Sequence, residues 1–304
     1  MLKSVDKPRT SSTKGYLLAI LASMTYGLNP MFAVPLYEIG LDVMSVLFYR
    51  YLFAAILLGI IIAIKKQSFH IPKNAFIPVI LAGIFFALSS ITLFQSYRYM
   101  DVGIASTILY VTPFFVAIIM ATFFRQKIRL QGLLCIVASF IGIGLISVKY
   151  DSTIQSPFGI GLVIVSALVY AVYMVLINKT ALNRMHIVPL TFYCLIVGIL
   201  LFLLCTCIDN GITPLPATVP AYYNVIGIAV FPTIVSLVAM TVAIQSIGPV
   251  PTSVLEALEP VTALFIGFLM FGEVLTTLNL IGILIVISSV TFFVVSQHKH
   301  KLVE

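Results

Sequence analysis

Charge is scarce in this sequence. Only 9% of its 304 residues are Asp, Glu, Lys or Arg, against about 25% in soluble domains, which excludes an ordinary water-facing globular surface. Tryptophan is absent. The four cysteines, Cys135, Cys194, Cys205 and Cys207, form no CxxC pair and fall in or beside apolar stretches, so they read as buried, inert thiols. The four histidines, His70, His186, His298 and His300, lie in polar connections or the basic tail, without metal-ligand spacing. A GxxxxGK[ST] loop is also missing, so ATP hydrolysis by this chain is not supported. With no grouping of nucleophile, base and orienting residue, the expectation is a protein that is not an enzyme and uses no cofactor or metal.

Apolar residues fill the space that charge leaves: 61% of the chain is hydrophobic and its mean hydropathy is +1.16. A bilayer-spanning helix needs about 20 mostly apolar residues, so the chain has room for roughly ten. The segment Met1 to Lys14 is polar and the long apolar run after it lacks a small-residue cleavage site, so it reads as a retained first span. Apolar runs between polar punctuation predict helices over 15–35, 43–64, 75–98, 102–124 and 130–148, then 158–178, 187–208, 221–245, 251–271 and 278–296.

Basic residues test this assignment, because cytoplasmic loops collect Lys and Arg. With the N-terminus inside, the cytoplasmic side receives Lys3, Lys7, Arg9 and Lys14, then Lys65, Lys66 and Lys73, then Arg125, Lys127 and Arg129, then Lys179 and Arg184, and last Lys299 and Lys301. Only Arg98 and Lys149 fall outside, with Arg50 inside a span. Both termini are therefore expected in the cytoplasm. The net charge of +7 follows from topology, and no nucleic-acid partner is needed to explain it. The glycosylation pattern Asn178-Lys179-Thr180 is discounted because it falls on the cytoplasmic side.

The chain also parallels itself. Gly15 through Tyr26 to Gly27 runs in register with Gly159 through Tyr170 to Ala171, and Ser106 through Pro113 to Phe124 with Ser253 through Pro260 to Phe271. Five helices is an odd number, so a second copy sits upside down relative to the first. The expected architecture is an all-α integral membrane protein with ten transmembrane helices as two inverted five-helix repeats. Its parts are an N-terminal tail (1–14), a first repeat (15–149), a connecting loop (150–157), a second repeat (158–296) and a basic tail (297–304).

From Gly15 to about Val295 the sequence resembles the drug/metabolite transporter superfamily and its EamA-type members. The resemblance is carried most by Ser253-Val254-Leu255-Glu256-Ala257-Leu258-Glu259-Pro260, followed by Phe271-Gly272-Glu273 and Gly282. The first copy has Thr112-Pro113-Phe114, but Arg125-Gln126 stands where the family usually has Gly-Glu. Arg50 also matches a position where such proteins often carry arginine. The resemblance implies a transporter whose helices 1, 3, 4, 6, 8 and 9 line the pathway.

The candidate site starts from two prolines. Pro113 and Pro260 free the carbonyls four residues earlier, at Leu109 and Glu256, which in lipid need other partners or a water-lined cavity. Pro30, Pro189 and Pro232 read as plain kinks. Arg50, Glu256 and Glu259 are ionisable groups inside spans, where an unpaired charge costs at least about 2.5–3.5 kcal/mol. At about 1.5 Å rise per residue, Arg50 and Glu259 are separated by roughly 7 Å in depth, within reach of an extended arginine. An Arg50 to Glu259 tie is one expectation; a proton or cationic-substrate site at Glu256 and Glu259, one helical turn apart, is the other. Tyr26, Asn29, Gln95, Tyr97, Tyr110, Tyr170, Tyr173 and Gln245 complete the candidate substrate or coupling group. Gly142, Gly144, Gly282, Ser288 and Ser289 suit close helix contact, within one chain or in a homodimer.

The function expected is a secondary transporter, permease or exporter, for a small metabolite or amino-acid-like solute. It works by alternating access with proton coupling, and sits in the lipid bilayer of a bacterial cytoplasmic (inner) membrane. The alternatives are a non-transporting helper subunit or a channel-like protein. A channel would carry repeated filter elements or a charged ring, and neither is present.

Overall fold

The computed structural model describes residues 12–96, 98–100, 102–126, 130–147, 156–208, 211–272 and 274–301, and among these every regular element is a helix. We number the helices α1 (Ser12–Glu38), α2 (Val43–Ile64), α3 (Lys73–Ser96), α4 (Val102–Leu109 and Thr112–Phe124) and α5 (Leu130–Ile146). They continue as α6 (Pro157–Lys179), α7 (Ile187–Ile208), α8 (Val219–Ile247), α9 (Pro249–Phe271) and α10 (Thr277–Lys301). Among the described residues nine apolar segments are long enough to cross a membrane; α5, at 17 residues, is apolar but shorter. The chain is thus an integral, multi-pass membrane protein. The run that became α1 extends beyond the expected 35 to Glu38, and α10 continues into the expected basic tail as far as Lys301.

Four helices are irregular near their middles, and a proline accounts for each. α1 is interrupted at Gly27 and Leu28 before Pro30, α4 at Tyr110 and Val111 before Pro113, and α9 at Glu256 and Ala257 before Pro260. In α8 the segment Ala229–Val235, containing Pro232, winds as a π-helix. A missing N–H removes one rung of the hydrogen-bond ladder, and the chain re-registers around the gap.

Packing is paired across the molecule. α1 lies against α8 and α6 against α3; α3 meets α7 as α8 meets α2; α6 meets α4 as α1 meets α9. α5 and α10 pair along their length, with a Cβ built on Gly142 falling 2.9 Å from the Gly282 carbonyl oxygen and the Ser139 hydroxyl donating to Ser289 at 3.0 Å. Of the small residues read as contact surface, Gly142, Gly282 and Ser289 therefore join α5 and α10 of one chain, whereas a Cβ on Gly144 would meet nothing within 4 Å and Ser288 is exposed. Lipid is as apolar as leucine, so such close van der Waals fit and hydrogen bonding supply the association. Cys135 and Cys194 are buried free thiols, as read from their surroundings, whereas the free thiol of Cys205 is only half-buried.

At one end of the bundle Asp42 caps α2, accepting from the Met44 and Ser45 amides, and its other oxygen accepts from the Thr213 hydroxyl at 2.8 Å. Burial alone would push this carboxyl up, but hydrogen bonds from Ser45, Thr213 and Met44 outweigh it and hold the group below its ordinary range. Tyr49 donates to the Thr213 carbonyl and accepts from Leu215 N–H. The α7–α8 connection is thereby strapped over the start of α2.

Candidate functional site

The irregular middles of α1, α4, α8 and α9 lie together with α2 and α6, and the polar side chains concentrate there. In α4, α8 and α9 the freed carbonyl finds a local partner. Thr112, just before Pro113, donates to Leu109 O at 2.7 Å; Thr233, just after Pro232, donates to Ile228 O at 2.8 Å; the Glu259 amide donates to Glu256 O at 2.9 Å. The carbonyls expected to seek partners at Leu109 and Glu256 are answered within their own helices.

Arg50 is 2% exposed. Its Nε donates to Thr233 Oγ1 at 2.6 Å, Nη1 to Asn29 Oδ1 at 3.1 Å and Nη2 to the Pro232 carbonyl at 3.2 Å, while the Tyr26 ring centroid lies 5.2 Å from Cζ. The guanidinium fork thus ties the break in α1 and the π-segment of α8 to α2, through neutral acceptors and an aromatic face. The expected direct tie to Glu259 is absent from these hydrogen bonds. Glu259 is instead within electrostatic reach of Arg50, and Tyr26 lies within reach of Arg50, Glu256 and Glu259.

The two carboxylates do not share a continuous helical turn, because α9 is interrupted at Glu256 and Ala257 between them. Glu256 is buried and accepts from the Tyr170 hydroxyl at 2.8 Å. Tyr170 stacks on Tyr173 with centroids 5.7 Å apart, and Tyr173 continues to Phe86, which stacks on Tyr51 at 5.8 Å. Glu259 is partly exposed, and among the described residues its carboxylate accepts no hydrogen bond. The backbone of α1 reaches α9 at this level: a Cβ on Gly27 would stand 2.7 Å from the Glu259 carbonyl oxygen, so only glycine fits.

The structure brings together Tyr26, Asn29, Arg50, Tyr170, Tyr173, Glu256 and Glu259. Tyr110 is nearby but buried, its hydroxyl donating to the Val254 carbonyl at 2.8 Å, which fastens the break in α4 to α9. Gln245 departs from the expected group: its amide donates to the Leu182 carbonyl at 2.9 Å, pinning the 3-10 turn Ala181–Arg184 at the end of α8. Gln95 is half-buried in α3 without a side-chain hydrogen bond to the cluster, and Tyr97 lies outside the described residues. Thr233 and Pro232 hold Arg50, although Pro232 read as a plain kink. The signal available for Thr233 was its place beside a proline; its 183-residue separation from Arg50 gave none.

Two neighbouring carboxylates with one guanidinium within electrostatic reach of Glu259 can hold a proton or a cationic group, and the tyrosine stack offers a flat apolar wall. Similar proteins agree with a transport role. The EamA-like transporter family matches residues 13–148 and again residues 157–295. An uncharacterized transporter of Archaeoglobus fulgidus is 26% identical over 248 residues, 81% of this chain and 84% of that protein. A second from the same organism is 25% identical over 184 residues, 60% of this chain and 64% of that one. A crystal structure of a protein with 13% identity superposes with a TM-score of 0.80, covering 95% of this chain and 99% of that one; at such identity the likeness speaks for the fold alone. The chain belongs to the EamA-like transporter family of membrane transporters.

Proposed function

We propose that this chain is a secondary transporter for a small metabolite or amino-acid-like solute, coupled to protons at Glu256 and Glu259 and working by alternating access of two inverted five-helix halves. The carrying observation is the charge arrangement at the centre. Among the described residues Arg50 is hydrogen-bonded only to neutral acceptors while two carboxylates stand at the break of α9, so the ionised cluster is one positive charge short. A proton or a substrate's cationic group restores the balance, and exchange of one for the other is coupled transport.

Ten crossings in an inverted arrangement are supported by which ends meet. Gly15 at the start of α1 lies against Ile247, and Asn178 at the end of α6 donates to Ile244, so these corresponding helices run in opposite directions. At the other end Asn279, starting α10, donates to Ile146, which ends α5. The distribution of basic residues supports a cytoplasmic position for the first of these ends. On a cysteine-free background, a cysteine at Lys66 should resist an impermeant thiol reagent in intact cells while one at Thr213 labels; labelling at Lys66 would overturn the orientation.

Transport itself is tested in proteoliposomes, with the substrate found by a thermal-shift screen of a metabolite library. Wild type should accumulate substrate down a pH gradient and show counterflow, which a pore does not. Glu256→Gln and Glu259→Gln should each lose gradient-driven accumulation and keep counterflow. Full accumulation by both variants would remove the carboxylates from coupling, and no transport by the chain alone would favour a helper role.

A further inference from the structure

Away from the central cluster, at the end assigned to the cytoplasm, a cleft of about 580 Å³ opens between the α2–α3 connection and the α6–α7 turn. Its volume lies within the about 300–1,000 Å³ usual for small-molecule sites. Arg184 and His186 line one wall, and His70 and Asn74 the other. None of the ten acidic residues of the chain lies between Lys65 and Asn74 or between Lys179 and Ile187. Every charged or chargeable group on these two segments is therefore cationic or neutral.

The walls are built, whereas the donors facing the cleft are idle. Tyr193 donates to the Phe69 carbonyl at 2.5 Å and the Ser68 hydroxyl accepts the His70 amide, fixing the first wall. On the second, Thr180 caps the 3-10 turn by accepting from Leu182 N–H, and Gln245 reaches from α8 to the Leu182 carbonyl. By contrast, the side chains of Arg184, His70, His186 and Asn74 make no hydrogen bond or ion pair among the described residues. Topology explains why lysines such as Lys66 crowd this end of the bundle. It does not explain why an arginine, two imidazoles and an amide converge on one concave space with no acid among them. Guanidinium, imidazole and amide donors around a cleft are the groups that recognise phosphate oxygens.

We propose that this cleft is a binding site for a phosphate group. The group has two available sources: the headgroup of an anionic lipid in the same leaflet, for which basic pockets between helices are a known receptor type, and a free phosphate from solution. The site is separate from the transport cluster, and its test does not depend on any transport substrate.

Full-length protein in phosphatidylcholine nanodiscs is titrated with inorganic phosphate, with chloride as the control for ionic strength, and binding is followed by calorimetry. In parallel, thermal unfolding is measured as phosphatidylglycerol replaces phosphatidylcholine. Saturable binding of phosphate identifies the free anion; saturable stabilisation by phosphatidylglycerol alone identifies the headgroup. In either case Arg184→Gln with His186→Gln should weaken the effect at least about tenfold, the worth of one charge-assisted contact. His70→Asn, from the opposite wall, should weaken it too, while Lys66→Gln, outside the lining, should change it less than about twofold. Unfolding in pure phosphatidylcholine should be the same for all variants, since these side chains make no hydrogen bond or ion pair among the described residues. No saturable response to either probe overturns the proposal. So does equal weakening by Lys66→Gln, which would mark diffuse surface charge, or weakening by variants of one wall only.

Discussion

α4 and α9 meet the same backbone problem with different chemistry. Both break two to four residues before a proline, at Tyr110 and Val111 in one and at Glu256 and Ala257 in the other. In α4 the gap is closed by neutral groups: Thr112 takes the freed carbonyl, and Tyr110 bolts the break to α9 through Val254. In α9 the gap is closed by backbone alone, the Glu259 amide on Glu256 O, which leaves two carboxylate side chains for other work. A broken helix is thus a shared device of both halves, and of the breaks in α4 and α9 only the second carries carboxylates. The difference also argues against reading proline itself as the functional signal: what matters is which side chains its gap sets free.

The largest effect is expected at the group that faces the charged break from α2. Arg50→Ala strands the Thr233, Asn29 and Pro232 acceptors and removes the cation within electrostatic reach of Glu259. It should cost about 3–5 kcal/mol of stability, read as thermal unfolding of purified protein, and abolish transport. Adding Glu259→Gln should recover at least about 1 kcal/mol, because one of the stranded charges is gone. Strict additivity of the two would mean that Arg50 serves only the α1–α8 junction and that the α9 break is electrostatically independent of it.

Much of this arrangement was readable beforehand, for reasons that differ by residue. Spans follow from the length of apolar runs, which the bilayer dictates. The breaks at Tyr110 and Glu256 follow from proline at fixed offsets. Arg50, Glu256 and Glu259 stand out because charge inside a span is costly. What was not readable depended on partners far apart in the chain. Thr233 looks like any small polar residue until α8 packs beside α2, and Gln245 looks like a pathway residue until the α6–α7 turn folds onto it. The direct Arg50 to Glu259 pair was expected from matching depth, but depth omits azimuth. The π-segment turns Thr233 and the Pro232 carbonyl toward Arg50 first.

An intermediate effect separates the two breaks directly. Tyr110→Phe removes the donor to Val254 O, which the Ala257 amide also approaches at 3.3 Å, so the loss should be about 1 kcal/mol of stability with accumulation intact. Glu256→Gln keeps an oxygen for Tyr170 and most of its shape, so stability should hold while gradient-driven accumulation is lost. Measured side by side, unfolding and uptake should move in opposite columns for the two variants. If Tyr110→Phe uncoupled transport without destabilising the fold, the α4 break would have to be counted as part of the coupling machinery.

The smallest effect lies where the same two helices end. Each finishes in a left-handed residue, Arg125 at φ 51° after α4 and Gly272 at φ 67° after α9. A side chain in that conformation costs about 1–2 kcal/mol, which glycine avoids, so the first half carries strain that the second does not. Two terms oppose it. Arginine beside a helix C-terminus interacts favourably with the carbonyl dipoles by about 0.3–1 kcal/mol, and glycine adds freedom to the unfolded chain worth about 0.5–1 kcal/mol. Arg125→Gly should therefore shift stability by less than about 1 kcal/mol in either direction. Gly272→Ala has no dipole term to offset its strain and should cost about 1 kcal/mol, measurable as a lower unfolding temperature. The asymmetry has a topological reading: on the proposed orientation α4 ends in the cytoplasm, where an arginine reinforces insertion, and α9 ends outside, where it would oppose it. Gly272→Arg should then reduce correctly inserted protein in membranes more than Gly272→Ala does. Equal insertion of the two would leave Arg125 as a strained cap offset only by the helix dipole, with no topological role.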